Sequence, residues 1–295
     1  MKDSSQDAGR RFQPTGLMYM AAAAFFFSLM GLLVRIVKGI PFMEVVFFRS
    51  AVMFVIPLIG LIREYRPLFG KHKVLLLARG LFGFVGLSAY FYTIHAMPLA
   101  EAVTIQYTNP IFTALWSPLI LKERATRFDW LATVVSFLGV FFIARPDSLS
   151  HALPAAIGLG GAACSGLAYN LVRKLGGKGE DHRNIVFAFT VVSLGFSTPA
   201  ALAQWVMPDT VQFALLIGIG VTTYIAQIAL TKGLRAERAS RATVMNYLVI
   251  LLSTVYSILL GEALHPYTLG GIALIAAGIA VLQFGKRHEK ARAAG

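Results

Sequence analysis

The sequence is poor in cysteine and in charge. Cys164 is the only cysteine among 295 residues, so an internal disulfide is impossible and a cysteine-based metal site is not expected. Charged residues make up 14% of the chain, against about 25% in soluble domains, whereas hydrophobic residues make up 57%. This composition predicts a membrane protein with little chain outside the bilayer.

Several motifs of catalysis and ligand binding are also missing. The sequence contains no GxxxxGK loop and no HExxH or Cys/His cluster, so we expect no ATP hydrolysis, no metal and no cofactor. The GLGG stretch at 158–161 lies inside a predicted helix, so it is not a dinucleotide loop. No Ser/His/Asp set lies at one membrane depth. An intramembrane enzyme is therefore the alternative of a different class, and a receptor or structural membrane protein is a further one.

Lys and Arg are abundant, and the net charge is +13. Of these 27 residues, 22 lie in the termini and in every second connection between apolar segments, 3 lie in the other connections, and 2, Arg49 and Arg79, lie inside apolar segments. Basic residues stay in the cytoplasm during insertion. The alternation therefore predicts ten membrane-spanning helices with both tails, 1–14 and 286–295, in the cytoplasm, and nucleic acid is not an expected partner. The ten segments are approximately 15–35, 42–62, 74–95, 99–120, 127–144, 153–172, 184–206, 210–231, 240–260 and 267–285.

The two halves of the chain resemble each other. Residues 96–143 align without gaps on 235–282, an offset of 139 that places Glu123 on Glu262. Each half has five segments, so the second half must enter the membrane from the opposite side. The charges agree, because Glu123 is flanked by Lys and Arg, whereas Glu262 is flanked by Gly and Ala.

This pattern predicts an all-α membrane protein made of two inverted five-helix repeats, over 15–145 and 153–285. Inverted repeats of this kind typify secondary transporters. Small residues spaced four apart recur in the first helix of each half, and together with Gly158 they predict a close-packing face on the sixth helix.

Several stretches resemble the drug/metabolite transporter superfamily, in its ten-span branch with two EamA-type domains. They are EVVFFRSAVMF, MPLAEAVTIQYTNPIFTALWSPLILKER, FDWLATVVSFLGVFFIARP and the weaker copy ASRATVMNYLVILLSTVYSILLGEAL. The resemblance covers nearly the whole chain. It implies a carrier with a central cavity between the halves that moves small metabolites by alternating access. Four-span relatives couple protons through a Glu in their first helix, but this chain has no acidic residue between 15 and 35.

From this resemblance we expect a secondary transporter, not an enzyme, that exports amino acids or related small polar compounds. Import of a vitamin or a nucleotide-like metabolite is the alternative. The short loops and the lack of an N-x-[ST] acceptor fit a multi-pass protein of a bacterial inner membrane. Besides its small-molecule substrate and membrane lipid, the chain needs no partner, since ten spans can form a complete pathway in a monomer.

Arg49 is the sharpest candidate for substrate binding. It lies about seven residues into the second helix, roughly 10 Å below the surface at 1.5 Å per residue. A charge at that depth is expensive and is normally turned inward and paired. Its planar guanidinium suits a substrate carboxylate or phosphate. The alternative is a structural ion pair, with Glu44 or Glu101 as its partner.

Polar residues cluster at matched places in the fourth and ninth helices. Pro110 leaves the backbone carbonyl of Gln106 without its helical donor, and in lipid such a group must find another partner. Two clusters at equivalent positions of inverted halves are expected to meet near the membrane midplane and to bind substrate, with hydrogen bonding between helices as the alternative. The residues are Gln106, Tyr107, Asn109, Asn246 and Tyr247.

Other helices offer further candidates. Polar wall residues of the cavity are predicted at Tyr224, Gln227, Asn170 and Ser28, and aromatic stacking residues at Tyr90 and Trp116, with ordinary packing as the alternative. Kinks or hinges are predicted at Pro57, Pro110, Pro118 and Pro199. Glu123 and Glu262 are interpreted as charges that stabilise helix N-termini, with a gate as the alternative, and His95 as an interfacial histidine.

Overall fold

The computed structural model describes residues 15–64, 70–96, 104–144, 152–259 and 266–294, and within them the regular structure is helical. Helices suit the apolar segments because a helix satisfies its own backbone polar groups, as lipid requires. The helices are α1 (Gly16–Ile36), α2 (Phe42–Arg63), α3 (Lys73–Ala96), α4 (Asn109–Leu121), α5 (Arg127–Ala144), α6 (Ala152–Gly177), α7 (His182–Leu202), α8 (Thr210–Ala236), α9 (Ala239–Val244), α10 (Leu248–Leu259) and α11 (Pro266–Ala294), with a 3-10 turn, Met245–Tyr247, between α9 and α10.

Seven helices in these ranges are long and apolar enough to cross a membrane, namely α1, α2, α3, α6, α7, α8 and α11. The all-helical membrane class is therefore confirmed, whereas ten spans and cytoplasmic termini stay predictions. The fourth and ninth segments, each predicted as one span, are interrupted in the described structure. The fourth segment turns at residues 107–108 before the 13-residue α4 begins, and the ninth is divided into α9, the 3-10 turn and α10.

The most extensive contacts between helices form a pattern that exchange of the two halves leaves unchanged. Counting α9 and α10 as one segment, α1 to α5 correspond to α6, α7, α8, α9–α10 and α11. The α1–α8 contact then has α3–α6 as its counterpart, α4–α6 has α1–α10, and α3–α7 has α2–α8, while α2–α7 and α5–α11 map onto themselves. Two five-helix units related by a twofold axis would pack in this way. The repeat boundaries themselves stay predictions.

Matched glycines make the self-symmetric contact between α5 and α11. A Cβ added to Gly139 would lie 2.6 Å from the carbonyl oxygen of Gly271, and one added to Gly278 would lie 2.9 Å from that of Ala132. Gly139 and Ala132 align with Gly278 and Gly271 at the offset of 139 found in the sequence. Each half therefore presents the same glycine to the same backbone position of the other, and the two helices approach closely because neither has a side chain there.

The small-residue face predicted on the sixth helix lies between two neighbours. A Cβ on Gly158 would lie 2.8 Å from Thr93 on α3, and a Cβ on Gly166 would lie 2.8 Å from the backbone nitrogen of Thr113 on α4. These distances are shorter than ordinary carbon contacts, so α6 packs closely against the side chain of Thr93 on α3 and against the backbone of α4. This close packing places residues of α3, α4 and α6 around a common interior.

Contacts between connections group the α2–α3, α4–α5, α6–α7 and α8–α9 connections at one end of the bundle. Arg173, at the end of α6, pairs with Glu123 at 2.8 Å and donates through Nη1 to the carbonyl of Arg235 at 2.7 Å. Glu180 accepts a hydrogen bond from His72, with 2.9 Å between Oε2 and Nδ1. These are the connections in which the basic residues concentrate.

The α1–α2 and α7–α8 connections meet at the other end. Glu44 Oε2 accepts from the backbone nitrogen of Val206 at 3.0 Å, and the Gln212 amide donates to the carbonyl of Lys38 at 3.0 Å. The connections that the structure describes thus alternate between the two ends, as the distribution of Lys and Arg predicts for a chain that crosses and recrosses a membrane.

A buried ion pair fixes the start of the ninth segment. Arg241 Nε donates to Asp129 Oδ1 at 3.1 Å, and the two side chains are 4% and 0% exposed. Arg241 also lies 2.8 Å from Glu289 of α11, and Lys286 pairs with Glu237 beside it. This network joins the beginning of α5 and the end of α11 to α9, and it accounts for several charges that the sequence places at the basic end.

Candidate functional site

Two arginines are buried in the interior of the bundle. Arg49 is the eighth residue of α2 and Arg79 the seventh of α3, and their residues are only 3% and 2% exposed. Nε and Nη1 of each guanidinium are buried without a hydrogen-bond partner among the described residues. Buried charges are normally paired, because desolvation of an isolated ion costs several kcal/mol. This pair, Arg49 and Arg79, is the most unusual electrostatic feature of the described part of the chain.

The aromatic ring of Phe189, on α7, lies near both guanidiniums of the arginine pair. Cζ of Arg79 lies 4.5 Å from the centroid of its ring, and Cζ of Arg49 lies 5.9 Å from the same centroid. The two guanidinium carbons are therefore at most 10.4 Å apart, the sum of those distances. Arg79 Nη2 also lies 3.5 Å from Oε1 of Gln227 on α8, and Gly83 leaves the space that the Arg79 guanidinium fills along α3. Helices of both halves thus contribute to one site.

Glu44, one of the two ion-pair partners considered for Arg49, forms a hydrogen bond with another residue. Glu44 is fully buried, but its Oε2 accepts from the backbone of Val206, and its Oε1 has no partner in the described part of the chain. Glu101, the other candidate, lies outside the described residues. An ion pair between Arg49 and Glu44 therefore does not explain why a cation stands at this depth.

The two polar clusters lie where the fourth and ninth segments are interrupted. The carbonyl of Gln106, which lacks a helical donor because of Pro110, accepts from the side-chain nitrogen of Asn109 at 2.8 Å. The hydroxyl of Tyr247 donates to the carbonyl of Tyr107 at 3.2 Å, and the two rings lie 6.0 Å apart. The turn at 107–108 and the 3-10 turn occupy corresponding positions of the halves, and such paired interruptions mark binding sites in secondary transporters.

Tyrosines connect these interruptions to the arginine pair. Tyr107 lies near Tyr90, Tyr169 and Tyr247, and Tyr169 in turn lies near the guanidinium of Arg79. Tyr90 is on α3 and Tyr169 on α6, so four different segments supply the cluster. Phenols can donate and accept hydrogen bonds and present an aromatic face, which suits an organic solute with polar groups.

Other predicted wall residues are engaged in packing. Asn170 donates to the carbonyls of Thr113 and Gly166, both at 3.0 Å, and so joins α6 to α4. The Trp116 indole donates to the carbonyl of Ala163 at 3.2 Å, and Ser28 bonds to the backbone of its own helix. In this conformation the polar atoms of Asn170 and Trp116 join α4 to α6, and that of Ser28 is bonded within α1, which is the packing alternative considered for them. Tyr224 packs in the cluster around Phe189, and Asn246 is buried.

Three of the four prolines predicted as kinks or hinges lie in the interior of helices. Pro57, Pro118 and Pro199 lie inside helices, but Pro110 is the second residue of α4, so it starts a helix instead of kinking one. Glu123 precedes α5 and pairs with Arg173. Glu262 and the side chain of His95 lie outside the described residues.

Arg79, Phe189 and Tyr169 were not among the sequence candidates. A signal for Arg79 exists, because it is the second arginine inside an apolar segment and the argument applied to Arg49 applies equally to it. Phe189 and Tyr169 have no such signal. Aromatic residues are common in membrane helices, and only the packing of α6 and α7 brings these two to the arginine pair.

Interrupted helices at matched positions of two halves, beside buried cations that have no charged partner among the described residues, are typical of membrane carriers for small molecules. The chain belongs to the EamA-like transporter family, whose sequence profile matches residues 14–145 and again 153–284. The match to two consecutive EamA segments accounts for the internal repeat.

Individual proteins agree with this assignment. The chain is 32% identical over 273 residues to the pseudopaline exporter CntI of Pseudomonas aeruginosa (strain UCBPP-PA14), an alignment that covers 90% of this chain and 95% of the exporter. It is 27% identical over 241 residues to a riboflavin transporter of Vibrio cholerae, an alignment that covers 76% of this chain and 78% of the transporter. A solved crystal structure superimposes with a TM-score of 0.81 at 17% identity, over 92% of this chain and 98% of the other, which shows the same fold.

Proposed function

We propose that this protein is a secondary transporter that moves a small polar metabolite with an anionic group across a bacterial inner membrane by alternating access. The observation that carries the proposal is the burial of Arg49 without a carboxylate partner among the described residues. A guanidinium forms paired, charge-assisted hydrogen bonds with carboxylate or phosphate. A substrate would therefore supply the anion that Arg49 lacks.

Alternating access is supported by the arrangement of the helices. The most extensive contacts of α1 to α5 have counterparts in the second half, and the interruptions at 107–108 and Met245–Tyr247 lie at matched positions. Rocking of one repeat against the other around a fixed central site is the usual mechanism of such repeats. Ten spans, cytoplasmic termini, function as a monomer and direct contact with membrane lipid are parts of this proposal.

Export of an amino acid or a related compound is the first candidate for direction and substrate. The similarity to an exporter over 90% of this chain supports export. The similarity to a riboflavin transporter supports the alternative, a vitamin or a nucleotide-like metabolite as the solute. Everted and right-side-out vesicles discriminate the directions, since an exporter in everted vesicles accumulates solute in the lumen.

Counterflow in proteoliposomes tests the proposal. Vesicles preloaded with one unlabelled solute from a panel of amino acids, vitamins and nucleotides receive a trace of the same radiolabelled solute. A carrier gives saturable, transient accumulation of the chemically unchanged label. Vesicles that contain Arg49→Ala protein are the comparison. No accumulation with any solute of the panel, or recovery of a modified product, would refute the transporter and favour the intramembrane enzyme.

A thermal-shift screen of the purified protein selects the solutes for that assay. A ligand that binds the folded state alone raises the melting temperature by mass action. Solutes that stabilise the wild-type protein but not Arg49→Ala identify binding at the proposed site, and they are then taken into the counterflow assay.

A further inference from the structure

We propose that the substrate is a small organic solute with two negative charges, one bound by Arg49 and the other by Arg79. This inference rests on the proposed transporter function and deepens it, since it assigns Arg79 to the site and specifies the charge of the solute. It is argued from the burial of both guanidiniums, the partners of the described carboxylates, and the upper limit on the distance between the two cations.

Both guanidiniums are built into the interior. Their residues are 3% and 2% exposed, and in each the Nε and Nη1 atoms have no partner among the described residues. The hydrogen bond from Arg79 to Gln227 spans 3.5 Å, at the long limit for such a bond, and an amide oxygen brings no charge. Phe189 offers both cations the face of an aromatic ring, which attracts a cation without neutralising it.

The acidic residues of the described ranges are engaged elsewhere. Fourteen Asp and Glu residues occur in the chain, and nine of them lie in these ranges, because residues 3, 7, 101, 147 and 262 fall outside. Each of the nine has another partner, neither Arg49 nor Arg79 is among the partners given below, and only Oε1 of Glu44 is a buried carboxylate oxygen without a partner in these ranges. The pairs are Glu44 with Val206, Glu64 with Arg183, Glu123 with Arg173, Asp129 with Arg241, Glu180 with His72, Asp181 with His182, Asp209 with Gln212, Glu237 with Lys286 and Glu289 with Arg238.

The two positive charges of Arg49 and Arg79 indicate which class of solute can neutralise the site. A neutral or zwitterionic solute leaves two buried cations in mutual repulsion, and a monoanion neutralises only one of them. A dianion neutralises both, so the occluded, loaded site has no net charge. A short dicarboxylate can bridge two Cζ atoms that are at most 10.4 Å apart, and a phosphate monoester can bridge them at the shorter separations within that limit.

Matched ligands test the charge requirement. Succinate, glutarate and adipate are short dicarboxylates of increasing length, and glycerol 3-phosphate carries both charges on one phosphate. Glutaramate, the monoamide of glutarate, keeps the shape of glutarate with one charge removed. Affinities are measured by calorimetry on the purified wild-type protein at constant ionic strength. We expect the best dicarboxylate to bind about 10- to 100-fold more tightly than glutaramate, the range of one charged hydrogen-bonded contact. The phosphate arm separates a single dianionic group from two carboxylates.

The variants assign each charge to its arginine. We expect the Arg79→Gln protein to lose its preference for the dianion over glutaramate. Arg79→Lys keeps the positive charge, so we expect the same preference to persist there in weaker form. Arg63→Gln, an exposed position at the end of α2, is the control and keeps the full preference. Equal binding of dianion and monoanion by the wild-type protein, a full preference in Arg79→Gln, or no binding of any of the four dianions would overturn the inference.

Transport by a Glu101 variant and the melting temperature of an Arg79 variant distinguish substrate binding from a structural role of the arginines. Glu101→Gln tests the competing source of negative charge, and a loss of transport there that matches the loss in Arg49→Ala would overturn the inference in favour of an internal ion pair. In the ligand-free protein, replacement of an unneutralised buried cation raises the melting temperature, so Arg79→Met is expected to melt higher than wild type. A lower melting temperature with lost solute binding would show that Arg79 is structural. Saturable counterflow of a neutral solute would leave the transporter intact and refute the dianion.

Discussion

The hydroxyl of Tyr247 donates a hydrogen bond to the backbone carbonyl of Tyr107 across 3.2 Å. The donor lies in the 3-10 turn of the ninth segment and the acceptor in the turn of the fourth, so one bond joins the interruptions of the two halves. Movement of one half against the other must stretch or break it. The bond therefore links the interior of the candidate site to the proposed rocking motion.

Removal of that hydroxyl tests the link. Tyr247→Phe keeps the ring but not the donor, so we expect a loss of about 1 kcal/mol in the free energy of unfolding, together with a changed rate of counterflow. Tyr256→Phe, on α10 and partly exposed, is the control. A rate identical to wild type in Tyr247→Phe would show that the bond plays no part in the transport cycle.

Loss of Arg49 is expected to abolish transport. Arg49→Ala removes charged hydrogen bonds worth about 1.5 to 3 kcal/mol, so the affinity for an anionic substrate falls at least about tenfold. Binding is followed by calorimetry and flux by counterflow, with Arg63→Ala as the exposed control on the same helix. A folded Arg49→Ala protein that binds its substrate with unchanged affinity would disprove the anion-binding role.

Two glycines of α11 provide a matched test of the α5–α11 contact. A Cβ at position 278 would lie 2.9 Å from the carbonyl oxygen of Ala132, whereas a Cβ at position 270 meets nothing within 4 Å. Gly278→Ala is expected to destabilise the fold by about 1 to 3 kcal/mol through overpacking, and Gly270→Ala to be neutral or stabilising by up to about 1 kcal/mol. Melting temperatures in detergent decide between them, and equal values would contradict the close approach of the helices.

Glu180 predicts a pH dependence of stability. Burial raises the pKa of its carboxyl, but hydrogen bonds from the side chain of His72 and from the backbone of His72 and Lys71 outweigh this, so the pKa lies below its ordinary value of 4.5. A lowered folded-state pKa contributes stability that is present above pH 4.5 and is lost as the pH falls through the folded value. Glu180→Gln should therefore melt a few degrees below wild type at pH 7, and the difference should vanish in strong acid. A difference independent of pH would rule out the charge as its cause.

The inversion of the two halves predicts opposite sides for two aligned residues. In a Cys164→Ser background, Glu123→Cys is expected to react with an impermeant maleimide only from the cytoplasmic side, and Glu262→Cys only from outside. Unsubstituted Cys164→Ser protein gives the background labelling. Reaction of both positions from one side would contradict inverted repeats and the transport mechanism that depends on them.

The sequence by itself determined the helical membrane class, the internal repeat and the alternation of charge between connections. These follow from local rules, because lipid selects about 20 apolar residues per helix and basic residues stay on one side. It also singled out Arg49, since a charge in an apolar run is visible without any contact. Matched glycines at 139 and 278 were equally visible through the repeat.

The tertiary structure alone decided which residues meet. The fourth and ninth segments were each predicted as one span, but a side-chain hydrogen bond and a 3-10 turn accompany interruptions there, and apolar periodicity does not detect such turns. The partner of Arg49 was sought among the acids, yet packing of α2, α3 and α7 places it beside another cation and an aromatic ring. The sequence gives the number of charged residues, but only the fold determines the distances between them. Those distances decide whether a buried arginine is neutralised by a carboxylate of the protein or can bind an anion from outside.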